Sequence, residues 1–209
     1  MLGPTITLPE CDFRGSALIL WNMLTIFALL ALLAAPQLDP ALTPQKAAKP
    51  ALPKIDENTC PFEGCQFGAW TANAAVQLFS SWKDDRKQVT MLSKGVAVTA
   101  TTGVHVTFEP SEMQVTAPMP DYGLKPGDTI YGYVYKGEGV FSAWFNGYWV
   151  EDFDGSGVAG AGCNRNCNAK LVKQGHVEWW VEIRTKDGLI AWTKDTDSFD
   201  GKDALSGSE

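Results

Sequence analysis

Hydrophobic and polar residues alternate in short runs through most of the chain from residue 59 to residue 205. The clearest run is 177–193, where Trp179, Val181 and Ile183 fall on one side of an extended strand and the intervening side chains fall on the other. An Asp-Gly pair inside this run supplies the positive φ that a tight hairpin turn requires. The run therefore predicts a β-hairpin.

Further short runs are rich in valine, threonine and aromatic residues, which favour a half-buried pleated surface. They predict additional strands at 75–79, 88–92, 96–101, 104–108, 128–135, 140–145 and 148–153. Many short strands separated by turn signals indicate a small barrel or a sandwich. The fold class predicted for residues 59–205 is therefore all-β.

A weak internal repeat lies within this region. Residues 92–98 and 124–130 both read leucine, then glycine three positions later, then a β-branched residue three further on. In each copy a turn glycine leads into a predicted strand. Two interpretations stay open, a duplicated unit and two similar turns.

The amino-terminal part of the chain has a different pattern. Residues 17–36 carry no charge, and about 20 apolar residues allow a helix to cross the hydrocarbon core of a bilayer. Small residues end this run as in the cleavage region of a signal peptide, although the residues before it are only weakly basic. We predict a hydrophobic helix within residues 1–35 that is either a cleaved signal peptide or a membrane anchor.

Residues 36–58 follow as a proline- and alanine-rich segment. Proline fixes φ and favours extended conformations, so this composition predicts a semi-rigid linker without a core of its own. Such a linker holds a folded domain away from the membrane. Residues 206–209 are predicted to be a short tail.

Four of the five cysteines form two close pairs in the predicted β domain, and Cys11 precedes the apolar run. The pairs are Cys60 with Cys65 and Cys163 with Cys167, and their spacing makes two local disulfides the first interpretation. The alternative is a four-thiolate zinc site, because zinc ligands also occur in tight pairs. An oxidising compartment favours the disulfides.

The charge balance excludes several kinds of partner. The chain carries 17 basic and 24 acidic residues, a net charge of −7. Nucleic acid requires a basic patch, and anionic lipid also attracts basic surfaces. We therefore expect no nucleic acid and a membrane association only through the amino-terminal segment.

Residues suited to catalysis are few. His105 and His176 are far apart in strand-like contexts, where a lone histidine is more often structural. A hydrolase that pairs one of them with Asp152 or Asp154 is the enzymatic alternative. The stretch 152–157 also imitates the first half of a calcium loop but lacks the later bidentate glutamate. We predict a protein that is not an enzyme and that uses no cofactor or metal.

Aromatic residues are the more informative set. Exposed aromatic rings rimmed by acidic groups suit the binding of a peptide or a glycan, whereas buried rings would build a double core. Adjacent Trp179 and Trp180 must point to opposite faces, so one is exposed unless both faces are covered. The candidate binding residues are Tyr131, Tyr133, Tyr135, Trp144, Tyr148, Trp149 and Trp180.

Three motifs carry a resemblance to a known family. They are Leu92-x-x-Gly95-x-x-Val98, Trp180-Val181-x-Ile183-x-Thr185-x-Asp187-Gly188-x-x-x-Trp192 and Cys60-Pro61-x-Glu63-x-Cys65-x-Phe67-Gly68-x-Trp70. The first two resemble the leucine–glycine turn and the closing tryptophan hairpin of bacterial SH3-like (SH3b) domains. The third is similar to the start of exported bacterial proteins that carry such a domain.

The resemblance implies an SH3-like small barrel with a large β-rich insertion at about 109–174, which is either an elaboration or a second small barrel. It also implies a non-enzymatic binding or scaffold module of the cell envelope, on the periplasmic or extracellular side. Its partner would be a peptide, a protein or a cell-wall glycopeptide.

Overall fold

A computed structural model describes residues 39–160 and 163–206. Within these ranges the regular secondary structure consists of strands and short 3-10 turns, which confirms the all-β prediction. The strands are β1 (Gln45–Lys46), β2 (Lys54–Glu57), β3 (Gly68–Ala72), β4 (Val76–Phe79), β5 (Gln88–Leu92), β6 (Ala97–Glu109), β7 (Ser111–Val115), β8 (Thr129–Gly137), β9 (Val140–Phe145), β10 (Tyr148–Asp154), β11 (Val158–Ala159), β12 (Ala169–Lys173), β13 (His176–Thr185), β14 (Ile190–Thr193) and β15 (Phe199–Asp200). The 3-10 turns are Pro120–Tyr122, Gly155–Gly157 and Thr196–Ser198.

The predicted amino-terminal helix, signal peptide or anchor within residues 1–35 lies outside the described residues. Across 39–160 and 163–206, the structure contains no helix with the length and apolar character needed to cross a membrane.

The main sheet comprises β2–β6 and β13–β15. Its strands follow the order β15, β3, β6, β13, β14, β4 and β5, and β2 also pairs with β6. The longest pairing joins β6 to β13 in antiparallel register from His176 opposite Glu109 to Thr185 opposite Val98. The Asp-Gly hairpin predicted from the alternating pattern is the β13–β14 pair.

The insertion sheet comprises β1 and β7–β12. Its strands follow the order β1, β10, β9, β8, β7, β12 and β11, and the β11–β12 pair is parallel. Residues 111–173 supply all of these strands except β1, and the resemblance places its insertion at about 109–174.

The insertion leaves and re-enters the main sheet at neighbouring points. Glu109 at the end of β6 is the partner of His176 at the start of β13. Gly175 precedes that point, and its N–H donates to the Ser111 hydroxyl at 3.0 Å. A side chain at Gly175 would collide with the backbone of Glu109 and Ser111. Because the two ends meet, the main sheet accommodates a long excursion without breaking its central pair.

Each sheet has its own buried cluster. Val181 and Ile183 of β13 belong to the main core, and Trp70 and Phe199 pack there with them. The insertion core consists of Met113, Val115, Met119, Leu124, Ile130, Phe141, Ala143, Phe145, Val150, Phe153, Val158 and Ala169. This burial follows from alternation, since every second residue of a half-buried strand faces apolar neighbours.

The opposite face of β13 is buried as well. Trp180 is 1% exposed and forms a small cluster with Val104 and Val106. Trp179, on the other face, packs edge-on against Trp70 with ring centroids 6.3 Å apart. The adjacent tryptophans therefore point to opposite sides, as predicted, and both sides are covered.

Two of the predicted strands are one. The runs 96–101 and 104–108 merge into β6, which is continuous through Gly103. A Cβ at Gly103 would lie 2.4 Å from the Thr59 carbonyl oxygen and 2.5 Å from Trp179 Nε1. The glycine is a point of close approach within a strand, whereas the sequence suggested a turn.

Parts of the predicted linker also form strands. Gln45–Lys46 pairs with β10, and Lys54–Glu57 pairs with β6. Lys54 and Asp56 are half-buried and pair with each other, whereas Ile55 and Glu57 between and after them are exposed. Residues 39–57 therefore lie along the β domain.

The two glycines of the internal repeat occupy equivalent turns. Gly95 has φ +86° and Gly127 has φ +97°, and each precedes a strand. Glycine takes this left-handed conformation without the steric cost that a Cβ adds.

Both predicted disulfides are present. The Cα atoms of Cys60 and Cys65 are 5.5 Å apart, and those of Cys163 and Cys167 are 5.7 Å apart. Paired sulfurs are not thiolates, so these cysteines do not supply the ligands of the zinc alternative. No other group of three or more potential metal ligands occurs in the described ranges. The disulfides indicate an oxidising compartment.

Candidate functional site

The candidate aromatic residues divide between the two sheets. Tyr131, Tyr133, Trp144 and Trp149 of the insertion sheet lie outside its core cluster and pack in two ring pairs, and together they form what we call the aromatic face. Tyr133 is buried, at 5% exposure, and so is not the exposed binding residue that the sequence predicted. Trp180 belongs to the main sheet.

Strand register assembles the aromatic face. Trp144 is the cross-strand partner of both Tyr131 and Trp149, so the three side chains emerge on one side. The ring centroids of Tyr131 and Trp144 are 5.9 Å apart, and those of Tyr133 and Trp149 are 5.2 Å apart. These are distances at which aromatic rings attract one another.

Tyr135 and Tyr148 do not join this face. The register of β8 against β9 shifts between Gly132 and Tyr135, so Tyr135 pairs with Phe141, a core residue. A one-residue shift reverses the side on which all later residues emerge. Tyr148 is exposed at the hairpin end.

The amino-terminal segment covers part of the aromatic face. We call residues 39–49 the arm. Trp144 Nε1 donates to the Ala47 carbonyl at 3.0 Å, and the Ala47 N–H donates to the Gly147 carbonyl at 2.9 Å. The ammonium of Lys49 lies 3.2 Å from the centroid of the Tyr131 ring, a cation–π contact. The aromatic face thus already holds an extended segment of its own chain.

A polar cluster formed by residues of β2 and β6 lies next to this face. Lys54 forms an ion pair with Asp56 and lies 5.0 Å from the centroid of the Trp149 ring. Asp56 is the cross-strand partner of His105, which is 4% exposed. Burial lowers the pKa of His105, Asp56 opposes that shift, and Lys54 adds to it. Burial, together with Tyr131, raises the pKa of Tyr133 to about 12.

The residues of the enzymatic alternative have other partners. His176 stacks on Phe108 with ring centroids 4.9 Å apart. Asp152 Oδ1 accepts a hydrogen bond from Lys136 Nζ at 2.7 Å. Asp154 Oδ1 accepts one from the Ser156 N–H at 2.8 Å and caps a 3-10 turn. The described contacts therefore bring neither histidine to these two acids.

His105 makes stability depend on pH. Because its pKa is lower in the folded protein than the ordinary 6.5, the unfolded chain binds more protons as the pH falls. We expect its contribution to be complete above pH 6.5 and to be lost as the pH falls from there toward the folded pKa. Urea unfolding between about pH 7.5 and pH 5 measures this slope, and His105→Gln should flatten it.

His176→Gln is the matched control for this measurement, because that histidine is exposed. It should leave the slope in place. An unchanged slope in His105→Gln would show that other groups cause it.

A groove on the main sheet lies beside Trp180. It encloses about 300 Å³, and its walls include the rings of Trp82, Phe108 and Trp180 with the side chains of Lys83 and Arg86. Trp82, Lys83 and Arg86 come from the 80–87 loop between β4 and β5, which closes through a Ser80 N–H to Lys87 carbonyl bond of 2.9 Å. We call this cavity the Trp180 groove.

Charged groups hold the Trp180 ring from its edge and its face. Trp180 Nε1 donates to Glu178 Oε2 at 2.9 Å, and Lys194 Nζ donates to Glu178 Oε1 at 2.6 Å. Burial alone would raise the pKa of Glu178, but these two hydrogen bonds and the charges of Lys194 and Arg86 together lower it. The Arg86 guanidinium lies 4.8 Å from the Trp180 ring centroid. These contacts hold the Trp180 ring in place as one wall of the groove, with the Arg86 guanidinium over its face.

Sequence reasoning identified Trp180 but not the other walls of the groove. Trp82 lies in a polar loop between two predicted strands. A large aromatic residue in such a loop is the sequence feature that could have marked it as part of a binding surface. Phe108 had no signal of its own, because its position at the end of a strand is also typical of a core residue.

A second cavity, of about 400 Å³, opens on the insertion sheet among Met113, Tyr133, Phe141 and Leu171. Ser111 and Gln174 are its polar side chains apart from two tyrosines. It has no charged residue in its lining, in contrast to the Trp180 groove.

Comparison with known proteins found no matching protein family, no matching curated protein and no matching solved structure.

Proposed function

We propose that this protein is a non-enzymatic, SH3-like binding module of the cell envelope that recognises an extended peptide segment in the Trp180 groove. The observation that carries the proposal is the groove itself, in which Trp82, Phe108 and Trp180 form apolar walls beside the cations Lys83 and Arg86. Aromatic-lined grooves bind preformed polyproline II segments because such ligands lose little entropy on binding.

Charge selects among such ligands. The Arg86 guanidinium donates to the Lys83 carbonyl at 2.9 Å and lies 3.6 Å from the carboxylate of Asp84. The Asp84 side chain is fully exposed, so that ion pair is weak. Lys83 extends over Trp82, with its ammonium 5.6 Å from the ring centroid. Asp84 and Glu178 also line the groove, but the Glu178 carboxylate is already bonded by Lys194 and Trp180 and the Asp84 carboxylate is fully solvated. Lys83 and Arg86 therefore favour an acidic residue in the ligand. The proposed ligand is therefore a proline-containing, acidic peptide or the acidic peptide of a cell-wall glycopeptide.

The SH3-like assignment and the location rest on separate support. The leucine–glycine turn at Gly95 and the tryptophan hairpin both belong to the main sheet. The two disulfides suit an oxidising compartment, and the uncharged run at 17–36 suits export or anchoring. We place the β domain on the periplasmic or extracellular side of the envelope.

Fluorescence anisotropy with two short labelled peptides tests the groove. One peptide carries a Pro-x-x-Pro core with a flanking glutamate, and the other has lysine in place of glutamate. We expect saturable binding with a preference for the glutamate peptide. Trp82→Ala should weaken binding by at least about tenfold, or about 1.4 kcal/mol, and Arg86→Glu should reverse the preference.

Tyr148→Ala removes an exposed aromatic residue from the insertion sheet and should leave binding unchanged. Thermal unfolding of each variant verifies that it is folded. Absence of binding to both peptides, or equal affinities for the wild type and both groove variants, contradicts the proposal.

A further inference from the structure

The arm lies on the insertion sheet as an added edge strand. Gln45 and Lys46 pair antiparallel with Trp149 and Tyr148 of β10. The Asp152 N–H donates to the Ala41 carbonyl at 3.0 Å, which continues the attachment along β10. This is the geometry of β-strand addition, in which backbone hydrogen bonds supply affinity and side chains supply specificity.

The arm contributes no buried residue. All of residues 39–49 are exposed or half-buried, and Leu42 is 57% exposed. It meets the aromatic face through the Ala47 backbone carbonyl, which accepts from Trp144 Nε1, and through the Lys49 ammonium over the Tyr131 ring. Neither core depends on the arm, so it can leave the sheet without unfolding the domain.

The surface beneath the arm needs an occupant. Without the arm, β10 would be the open edge of its sheet, with unpaired backbone groups beside Tyr131, Trp144 and Trp149. An exposed edge strand with apolar neighbours is a template for pairing with another chain. The best-fitting strand known from the structure is the arm sequence itself.

The connection between the arm and β2 permits its transfer to another molecule. Residues 51–53 are exposed, and Pro50 and Pro53 bracket this link. Four extended residues span about 14 Å, so an arm can reach a neighbour while β2 stays paired with β6 of its own molecule.

We propose that two copies of this chain exchange arms, each arm lying along β10 and the aromatic face of the partner. The closed monomer and the exchanged dimer make the same contacts, so their balance depends on protein concentration and on the association entropy. The occupant is a second copy because residues 41–49 already match the hydrogen bonds of β10 and place Lys49 on Tyr131. This inference concerns the insertion sheet and is independent of ligand binding in the Trp180 groove.

Disulfide trapping between two differently tagged full-length chains tests the exchange. Both chains carry Cys11→Ser, one also carries Lys46→Cys, and the other also carries Tyr148→Cys. Lys46 and Tyr148 are cross-strand partners, and antiparallel partners lie within the Cα distance that a disulfide tolerates. Neither chain can form this crosslink alone, so the mixed product reports arm exchange together with a background of random collisions between the two copies.

The chains are mixed in detergent at high concentration, oxidised mildly and separated on a non-reducing gel. Peptide mass spectrometry then identifies the 46–148 link and verifies that the native disulfides persist. A single chain with Lys46→Cys and Tyr148→Cys, at low concentration, establishes that the pair crosslinks within a molecule.

The matched control replaces Tyr148→Cys by Val172→Cys, an exposed position on β12 that measures random collisions. We expect at least about tenfold more mixed product from the 46–148 pair, as the effective concentration at an occupied edge predicts. Equal yields from the two pairs would overturn arm exchange. So would a chain with both Lys46→Cys and Tyr148→Cys that forms only the intramolecular link at high concentration.

Discussion

Trp70→Ala is expected to lower the free energy of unfolding by about 3–5 kcal/mol, the range found for buried tryptophan or phenylalanine truncations. Trp70 is 1% exposed and packs against Phe199, with ring centroids 5.5 Å apart, and against Trp179. Its Nε1–H donates to the Gln66 carbonyl at 3.0 Å. The alanine variant loses the buried ring, leaves a cavity and removes the partner of that carbonyl.

Urea unfolding followed by circular dichroism measures this loss. Tyr148→Ala serves as the control, because Tyr148 is 42% exposed and its truncation should change stability by at most about 1 kcal/mol. If Trp70→Ala were no more destabilising than Tyr148→Ala, the main core would not be organised around Trp70.

Gly155→Ala should destabilise the insertion sheet by about 1–3 kcal/mol, the usual cost of forcing an extra group into a packed site. A Cβ at this position would lie 2.4 Å from the Gly139 carbonyl oxygen and 2.4 Å from a ring carbon of Phe141. The Gly155 N–H also donates to that carbonyl at 3.0 Å. To relieve this clash, the segment that follows β10 must move away from the β8–β9 turn, and the hydrogen bond between Gly155 and Gly139 is then weakened.

Gly157→Ala, two residues further along the same 3-10 turn, is a closely matched control. Its Cβ would meet Asn168 at 3.5 Å, an ordinary van der Waals distance, and its backbone is not left-handed. The same urea measurement should show a change within about 1 kcal/mol in either direction. Equal losses in the two variants would mean that loss of glycine flexibility, and not the collision, is responsible.

Most strands could be predicted from the sequence because the alternation of apolar and polar residues that marks a strand lies within a few neighbouring residues. The alternation around Trp179, Val181 and Ile183 survives in the structure, as does the hairpin that follows it. The Cys60–Cys65 and Cys163–Cys167 pairs were also accessible to sequence reasoning, since residues so close along the chain meet in a single turn.

The candidate site was less predictable because it depends on register and on distant neighbours. A one-residue shift in β8 separates Tyr135 from Tyr131, and sequence alone carries no record of such a shift. Trp180 is a wall of a groove whose other rings, Trp82 and Phe108, come from a different loop and strand. Lys49 covers Tyr131 of the aromatic face, and these two residues are more than eighty positions apart in the sequence.

The sequence by itself determined the all-β class, the acidity and the uncharged run at 17–36, because composition and short-range alternation carry each of them. It favoured two local disulfides over a zinc site, and the structure decided between them. Tertiary structure decided which aromatic rings are buried, which form the Trp180 groove and which the arm covers. Pairing between strands far apart in the chain sets these outcomes, and the free energy of that pairing comes from contacts that no single stretch of sequence contains.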